Sequence, residues 1–234
     1  MRSQLDPRLV AALEEQLEQR RAALARGAQH VGWKLGMGDR ESIGGEIAVG
    51  YLTSATVLEP GARYWSEAGA RLHADAEAVV ELGRDVDPAA GAGTVAAAIA
   101  GYGAALELVD LAPVPGEPDA VVVANVFHRA VAFAELAPGA PTAPEVALAV
   151  DGEVRASGRW PDDLHERLWK AAVLLRAVGE QFRAGDGIIT GSIVQVPVRA
   201  GERVAAEFVG VASVELQIEP HAAGVAGPGP NSAR

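Results

Sequence analysis

HADAEAVVELG, His73 to Gly83, alternates with a period of two. Every even position from Leu72 to Leu82 is apolar, and the odd positions carry His73, Asp75, Glu77, Val79 and Glu81. Such alternation marks a strand with one buried face, which sets Asp75 and Glu77 on the same side, two residues apart. Carboxylates held side by side on a rigid strand repel each other unless a cation lies between them, so a divalent metal site is one reading. A solvent-facing strand kept soluble by its acids is a second. The Ala, Glu and Leu content allows a helix as a third.

Outward from this stretch, composition sets the bounds. The 234 residues, 49% of them hydrophobic, suit one large domain or a core with a small appendage. No apolar run has the length of a bilayer span, and the N-terminus shows charges rather than an apolar leader, so a cytoplasmic location is expected. The absence of cysteine excludes disulfides, a thiolate nucleophile and cysteine-type zinc sites. A net charge of -11, with no basic cluster stronger than Arg20-Arg21, argues against nucleic acid as a partner. An acidic chain can still take an anionic substrate where a metal ion supplies local positive charge.

Upstream, Asp6-Pro7 reads as an N-cap with proline at the first helical position. Leu9, Leu13, Leu17 and Leu24 then give an amphipathic helix ending near Gly27. From His30 the period becomes two, with Val31, Trp33 and Leu35 on one face and Gly32, Lys34 and Gly36 on the other. Lys34 is either an ammonium with open space beside it or an edge-strand lysine in water. Met37 to Gly45 reads as a glycine-rich loop.

Downstream, Val95 to Ala100 starts a short helix and Ala104 to Leu111 is an apolar strand with Glu107 embedded in it. That carboxylate needs a partner if buried; the alternative is a strand with a wet face. Ala112 to Asp119 is a proline-rich loop. Ala120 to Phe133 reads as two β-rich runs around Asn125 and His128, His128 being a minor candidate for a ligand or base. Asp151-Gly152 turns a hairpin. Trp160-Pro161 introduces a long helix with Asp163 and Glu166 spaced as a capping box and a buried stripe reaching Phe182. Four β-rich segments close the chain before a Pro-, Gly- and Ala-rich tail expected to be disordered.

Taken together these segments resemble the fumarylacetoacetate hydrolase superfamily, most closely its 2-keto-4-pentenoate hydratase and 4-oxalocrotonate decarboxylase branch. GWKLGM (Gly32 to Met37) is similar to the family's lysine segment, ADAEAVVELGRDV (Ala74 to Val86) to its E-x-E metal strand, and AALELVD (Ala104 to Asp110) to the strand of the third acidic ligand. VANVFHRAVAF resembles the segment around a family asparagine, and GDGIITGSI the GD-x-x-x-TG signature. The resemblance implies an α+β, β-rich fold of mixed roll- or barrel-like sheets, with an N-terminal helix and one long helix before the C-terminal strands. It implies an N-terminal region over 1–60, a catalytic core over 61–219 and a tail over 220–234.

The resemblance further implies that Asp75, Glu77 and Glu107 hold Mg²⁺ or Mn²⁺, hard ions suited to oxygen ligands. Lys34 is the implied proton-transfer or charge-stabilising group, and Gly36, Asn125, Thr190 and Gly191 the implied substrate contacts. Glu46 and His30 flank Lys34 as candidate bases. The implied activity is hydration of a small 2-oxo or 2-hydroxydienoic acid through a metal-bound enolate. Decarboxylation of a 4-oxalocrotonate-like diacid, C–C hydrolysis of an acylpyruvate, and a non-catalytic partner of an active homologue are the alternatives. A homo-oligomer is expected, or a complex with a homologous pathway enzyme. Asp75 stands where the family usually has glutamate. Leu52 to Ala55 and Ala124 stand where it carries acids, so the proton-handling positions differ more than the metal positions.

Overall fold

The computed structural model describes residues 5–36, 47–112, 118–139 and 144–221. Helix α1 (Pro7–Ala25) leads into strands β1 (His30–Gly36), β2 (Ala48–Thr53), β3 (Val57–Leu58), β4 (Arg63–Ser66) and β5 (Leu72–Leu82). Helix α2 (Gly93–Ala98) precedes β6 (Ile99–Asp110), and α3 (Pro118–Val123) precedes β7 (His128–Phe133) and β8 (Ala137–Pro138). The hairpin of β9 (Glu145–Val150) and β10 (Glu153–Arg159) follows. Helix α4 (Leu164–Ala177) then leads to β11 (Gly187–Pro197), β12 (Arg203–Phe208) and β13 (Ala212–Pro220).

Two mixed sheets result. One, curled into a half-barrel, runs β2-β1-β11-β5-β6-β7-β3 with β8 beside β6; the other runs β10-β9-β12-β13-β4. Strand β5 lies in the middle of the first sheet, and its alternation has the predicted period. Its even-numbered alanines Ala74, Ala76 and Ala78 meet Leu148, Phe208 and Leu216 of the second sheet. Small side chains on one sheet let the other approach, and the larger ones fill the gap at interior packing density. Farther along the half-barrel the same face is covered by helices, with Leu13, Leu17, Trp33, Leu168 and Phe182 in one cluster. The odd face is buried as well: Asp75 and Glu77 are 4% and 1% exposed, which removes both the solvent-facing strand and the helix readings.

Local signals behave as the sequence implies in several places. Asp6 caps α1 by accepting from the Arg8 N–H, and Gly27 follows the helix with φ 101°. Asp151 and Gly152, at φ 51° and 82°, form the tight hairpin turn.

Other expectations are corrected. Ala120 to Val123 is helical rather than β, because tertiary contacts override the β preference of three valines. Val122 is buried in the helix-side core, and the Gln16 and Gln19 side chains donate to the Val122 and Val123 carbonyls that end α3. Asp163 does not close a capping box; its carboxylate pairs with Arg167 one turn on, and α4 stops at Ala177, short of Phe182. Val31 leaves the Trp33 face, because β1 carries a bulge between His30 and Gly32 and Val31 packs with the opposite cluster. Glu46 and the Met37 to Gly45 loop lie outside the described residues, as do most of the Ala112 to Asp119 loop and residues 222–234.

Candidate metal centre

Register alone assembles the site. Asp75 lies directly opposite Glu107 across β5 and β6, and Glu77 is two residues farther along the same face of β5. One ligand oxygen from each of the three carboxylates lies within 4.8 Å of the others. Lys34 reaches them from β1, where it is flanked by β2 and β11 and 2% exposed, so the edge-lysine reading fails. Its Nζ donates to Glu107 Oε1 at 2.5 Å and to the Val126 carbonyl at 3.0 Å.

Bulges turn the remaining groups inward, as they often do beside functional sites. In β11 two residues, Thr190 and Gly191, lie between the partners of Val79 and Glu77, which have only Ala78 between them on β5. Gly191 takes φ 95° and points its N–H at Glu77 Oε2, at 2.8 Å. In β7 a register shift opposite Leu108 and Val109 frees His128 from the alternation that sends Ala130 and Ala132 toward the second sheet. His128 Nδ1 is 2.6 Å from Glu107 Oε1, and Nε2 is 2.9 Å from the Thr56 hydroxyl.

The three other candidate contacts have their local roles already defined. Thr190 donates its hydroxyl proton to the Ala78 carbonyl at 3.1 Å. Asn125 bonds both ways to the Tyr51 backbone, accepting its N–H at 2.8 Å and donating to its carbonyl at 3.0 Å. Gly36 provides a close approach: a Cβ there would lie 2.6 Å from a Val126 methyl. The space beside Lys34 is therefore packed rather than open. Asn125, Val126 and Phe127 all have φ between 52° and 63°, a left-handed run that costs side-chain-bearing residues about 1–2 kcal/mol each. This run aims the Val126 carbonyl at Lys34.

His30 belongs elsewhere. With Trp33 Nε1 and the Arg183 N–H it bonds Asp186, so the aspartate of the GD-x-x-x-TG segment fastens β1 to the turn before β11. Residues that the sequence did not single out for the site are Thr56, whose hydroxyl meets His128, and Val126, which acts through its backbone. Glu107's pairing with His128 was hidden because strict alternation puts His128 on the wrong face.

Electrostatics divides the three acids. Burial, and then the Glu107 charge, raises Asp75 to about 7. The same two causes push Glu77 well above the usual glutamate range. Burial would raise Glu107 too, but the Lys34 ammonium and the His128 hydrogen bond outweigh it and hold that carboxylate below its ordinary value. Burial lowers His128. Without a cation, then, the site favours charge on Glu107, which is paired with Lys34, and burial disfavours it on Asp75 and Glu77.

These residues fit a divalent ion. Asp75 Oδ1 and Glu107 Oε2 are buried without hydrogen-bond partners among the described residues, a costly arrangement that metal ligation would relieve. Three ionised carboxylates and one ammonium leave two negative charges, which a divalent cation cancels.

Neither a family model nor a curated protein matches the chain. Solved structures do match. The 4-oxalocrotonate decarboxylase from Pseudomonas putida G7, complexed with magnesium and adipate, superposes with a TM-score of 0.78 at 23% identity, covering 90% of this chain and 86% of that one. Fumarylpyruvate hydrolase from Pseudomonas aeruginosa, in complex with Mn²⁺ and pyruvate, gives 0.60 at 19% identity over 82% and 90% of the two chains. The 5-carboxymethyl-2-hydroxymuconate delta-isomerase from Mycobacterium smegmatis gives 0.60 at 18% identity over 82% and 76%. The chain therefore has a fumarylacetoacetate hydrolase-like fold, with a buried acidic triad formed across β5 and β6.

Proposed function

We propose that this chain is a divalent-metal-dependent lyase acting on a small 2-oxo acid, with Asp75, Glu77 and Glu107 holding Mg²⁺ or Mn²⁺. The observation that carries this is the convergence of three buried carboxylates on one point with Lys34 as their only ammonium among the described residues. The fold neighbours crystallised with magnesium and the dicarboxylate adipate, or with Mn²⁺ and the 2-oxo acid pyruvate, support a divalent ion and a small carboxylic acid as substrate. When bound, the ion supplies positive charge against which the carboxylate and 2-oxygen of such an acid are polarised.

Decarboxylation of an oxalocrotonate-like diacid is the reaction the site favours. It needs an electron sink and a charge-stabilising donor but no water-activating base. Two of the three N–H donors of Lys34 are committed to Glu107 and Val126, and the third, without a partner among the described residues, can meet the negative charge developing on the substrate's 2-oxygen. As the C–C bond to the departing carboxylate breaks, CO₂ leaves and its electron pair passes through the conjugated chain to that oxygen. Leu52, Val79, Ala105, Val131 and Ile189 form an apolar cluster on the same face and limit water there. Glu77 and Asp75 are ligands in this reading, and His128 is bound to Glu107 and Thr56.

Hydration of a 2-hydroxydienoate is the second reading and rests on Glu46, the base proposed from sequence. Gly36, Asn125, Thr190 and Gly191 are proposed to shape the substrate's seat, and the active species is proposed to be an oligomer. The test is ultraviolet loss of an oxalocrotonate and of 2-hydroxypenta-2,4-dienoate, with and without chelator, beside calorimetric titration with Mn²⁺. Chelator-sensitive decarboxylation supports the proposal, and chelator-sensitive hydration transfers it to the second reading. Metal binding without turnover of either, or of an acylpyruvate, would make the chain a non-catalytic partner. Unchanged Mn²⁺ binding in Glu77→Ala and Glu107→Ala would remove the metal centre.

A further inference from the structure

Glu107 is fully buried and uses its two oxygens unequally. Oε1 receives Lys34 Nζ at 2.5 Å and His128 Nδ1 at 2.6 Å, whereas Oε2 is buried without a partner among the described residues. Contacts this short are charge-assisted and set the plane of a carboxylate. The imidazole is itself fixed at both ends, since its Nε2 lies 2.9 Å from the Thr56 hydroxyl, and its side chain is 1% exposed. His128 is there only because the β7 bulge turns it out of strict alternation. A buried histidine locked to one oxygen of a candidate ligand, and to a hydroxyl behind it, is placed to orient that ligand.

We propose that His128, braced by Thr56, is a positioning residue that makes Glu107 a one-oxygen ligand, offering Oε2 to the ion while Oε1 stays with the protein's donors. This rests on the metal-centre reading above. One-oxygen ligation suits Mg²⁺ and Mn²⁺, which bind few carboxylates in octahedral geometry, whereas Ca²⁺ favours more oxygens and accepts both from one carboxylate. The Gly191 N–H on Glu77 Oε2 restricts the second glutamate in the same way. Outer-shell partners of this kind govern affinity without touching the ion.

The experiment is calorimetric titration of the full chain, stripped with chelator, using Mn²⁺ and then Ca²⁺, in wild type, His128→Leu, His128→Asn and Thr56→Val. His128→Leu is expected to lose roughly ten- to a hundredfold in Mn²⁺ affinity, with a smaller loss for Ca²⁺, because the freed Oε1 can join a two-oxygen contact. Asn carries a donor close to the position of Nδ1, so His128→Asn is expected to stay near wild type, with Thr56→Val between the two. Equal Mn²⁺ affinity in wild type and His128→Leu overturns the proposal while leaving the metal centre intact. So does a His128→Asn variant as weak as His128→Leu. Where His128→Leu does not fold by circular dichroism, Thr56→Val decides, since wild-type Mn²⁺ affinity there overturns the bracing. A wild-type chain that binds neither ion refutes the metal centre, and the proposal with it.

Discussion

Lys34→Met isolates the charge at the centre of this site. The two side chains have similar length, and the stem of Lys34 is close-packed: a Cβ on Gly50 would lie 2.7 Å from Lys34 Cγ. Methionine keeps that packing and removes the ammonium. Glu107, 0% exposed, then loses its 2.5 Å partner and, among the described residues, keeps only His128. Breaking a buried ion pair on one side costs about 3–5 kcal/mol, because the remaining charge is left in a poorly solvating interior. For a chain of this size each kcal/mol is worth about 2–4 °C, so the metal-free variant should melt roughly 6–20 °C below wild type. A divalent ion restores positive charge at the same carboxylates, so saturating Mg²⁺ should narrow the gap.

The pH dependence has a fixed sign. In wild type Glu107 is held below its usual value, a contribution present above the unfolded pKa of about 4.5 and lost as pH falls through the lower folded value. In the variant burial acts unopposed by Lys34 and raises the group. The penalty is therefore largest in neutral and alkaline buffer and shrinks toward the ordinary glutamate range. Urea unfolding followed by the fluorescence of the four tryptophans, in chelator and in Mg²⁺, measures both effects. A deficit below about 1 kcal/mol in chelator, the scale of an exposed pair, would refute the reasoning. So would a deficit that Mg²⁺ leaves unchanged.

Loading the site near neutral pH should release roughly one to two protons per ion, since Asp75 sits at about 7 and Glu77 well above its usual range in the metal-free chain. Titration in two buffers of different ionisation enthalpy counts them, and identical heats would contradict the assignment. The raised Asp75 contributes stability that is complete below 3.8 and lost as pH rises through about 7, so chelated protein should weaken on that ascent and metal-loaded protein should not. Asn125→Ala removes both bonds to Tyr51 and sets alanine at φ 53°, a loss expected at about 2–4 kcal/mol by urea unfolding; wild-type stability would show that the left-handed turn is held by other contacts. Gly32→Ala places a methyl 1.9 Å from the Gly187 carbonyl oxygen, so β1 and β11 must separate at a cost upwards of about 3 kcal/mol. Soluble expression with a wild-type melting curve would rule out that close approach.

What the residues determined by themselves was whatever depends on neighbours along the chain. Alternation from Leu72 to Leu82 specified β5 and put Asp75 and Glu77 on one face, because the side-chain period of a strand is two. Asp6, Pro7 and Gly27 bounded α1, and Asp151-Gly152 specified the hairpin, because those residues accept the local backbone geometry. Glu107 was visible as a carboxylate in an apolar strand, with family resemblance the only link to the other acids. Tertiary structure decided the rest. Register across β5 and β6 set Glu107 opposite Asp75, and burial of both sheet faces turned acids that could have been solvated into a strained, cation-seeking cluster. Helical Val121 to Val123 depended on glutamines more than a hundred residues earlier in the chain. His128 reached Glu107 through a bulge, one residue out of step, which period-two reading cannot register because it assumes an unbroken ladder.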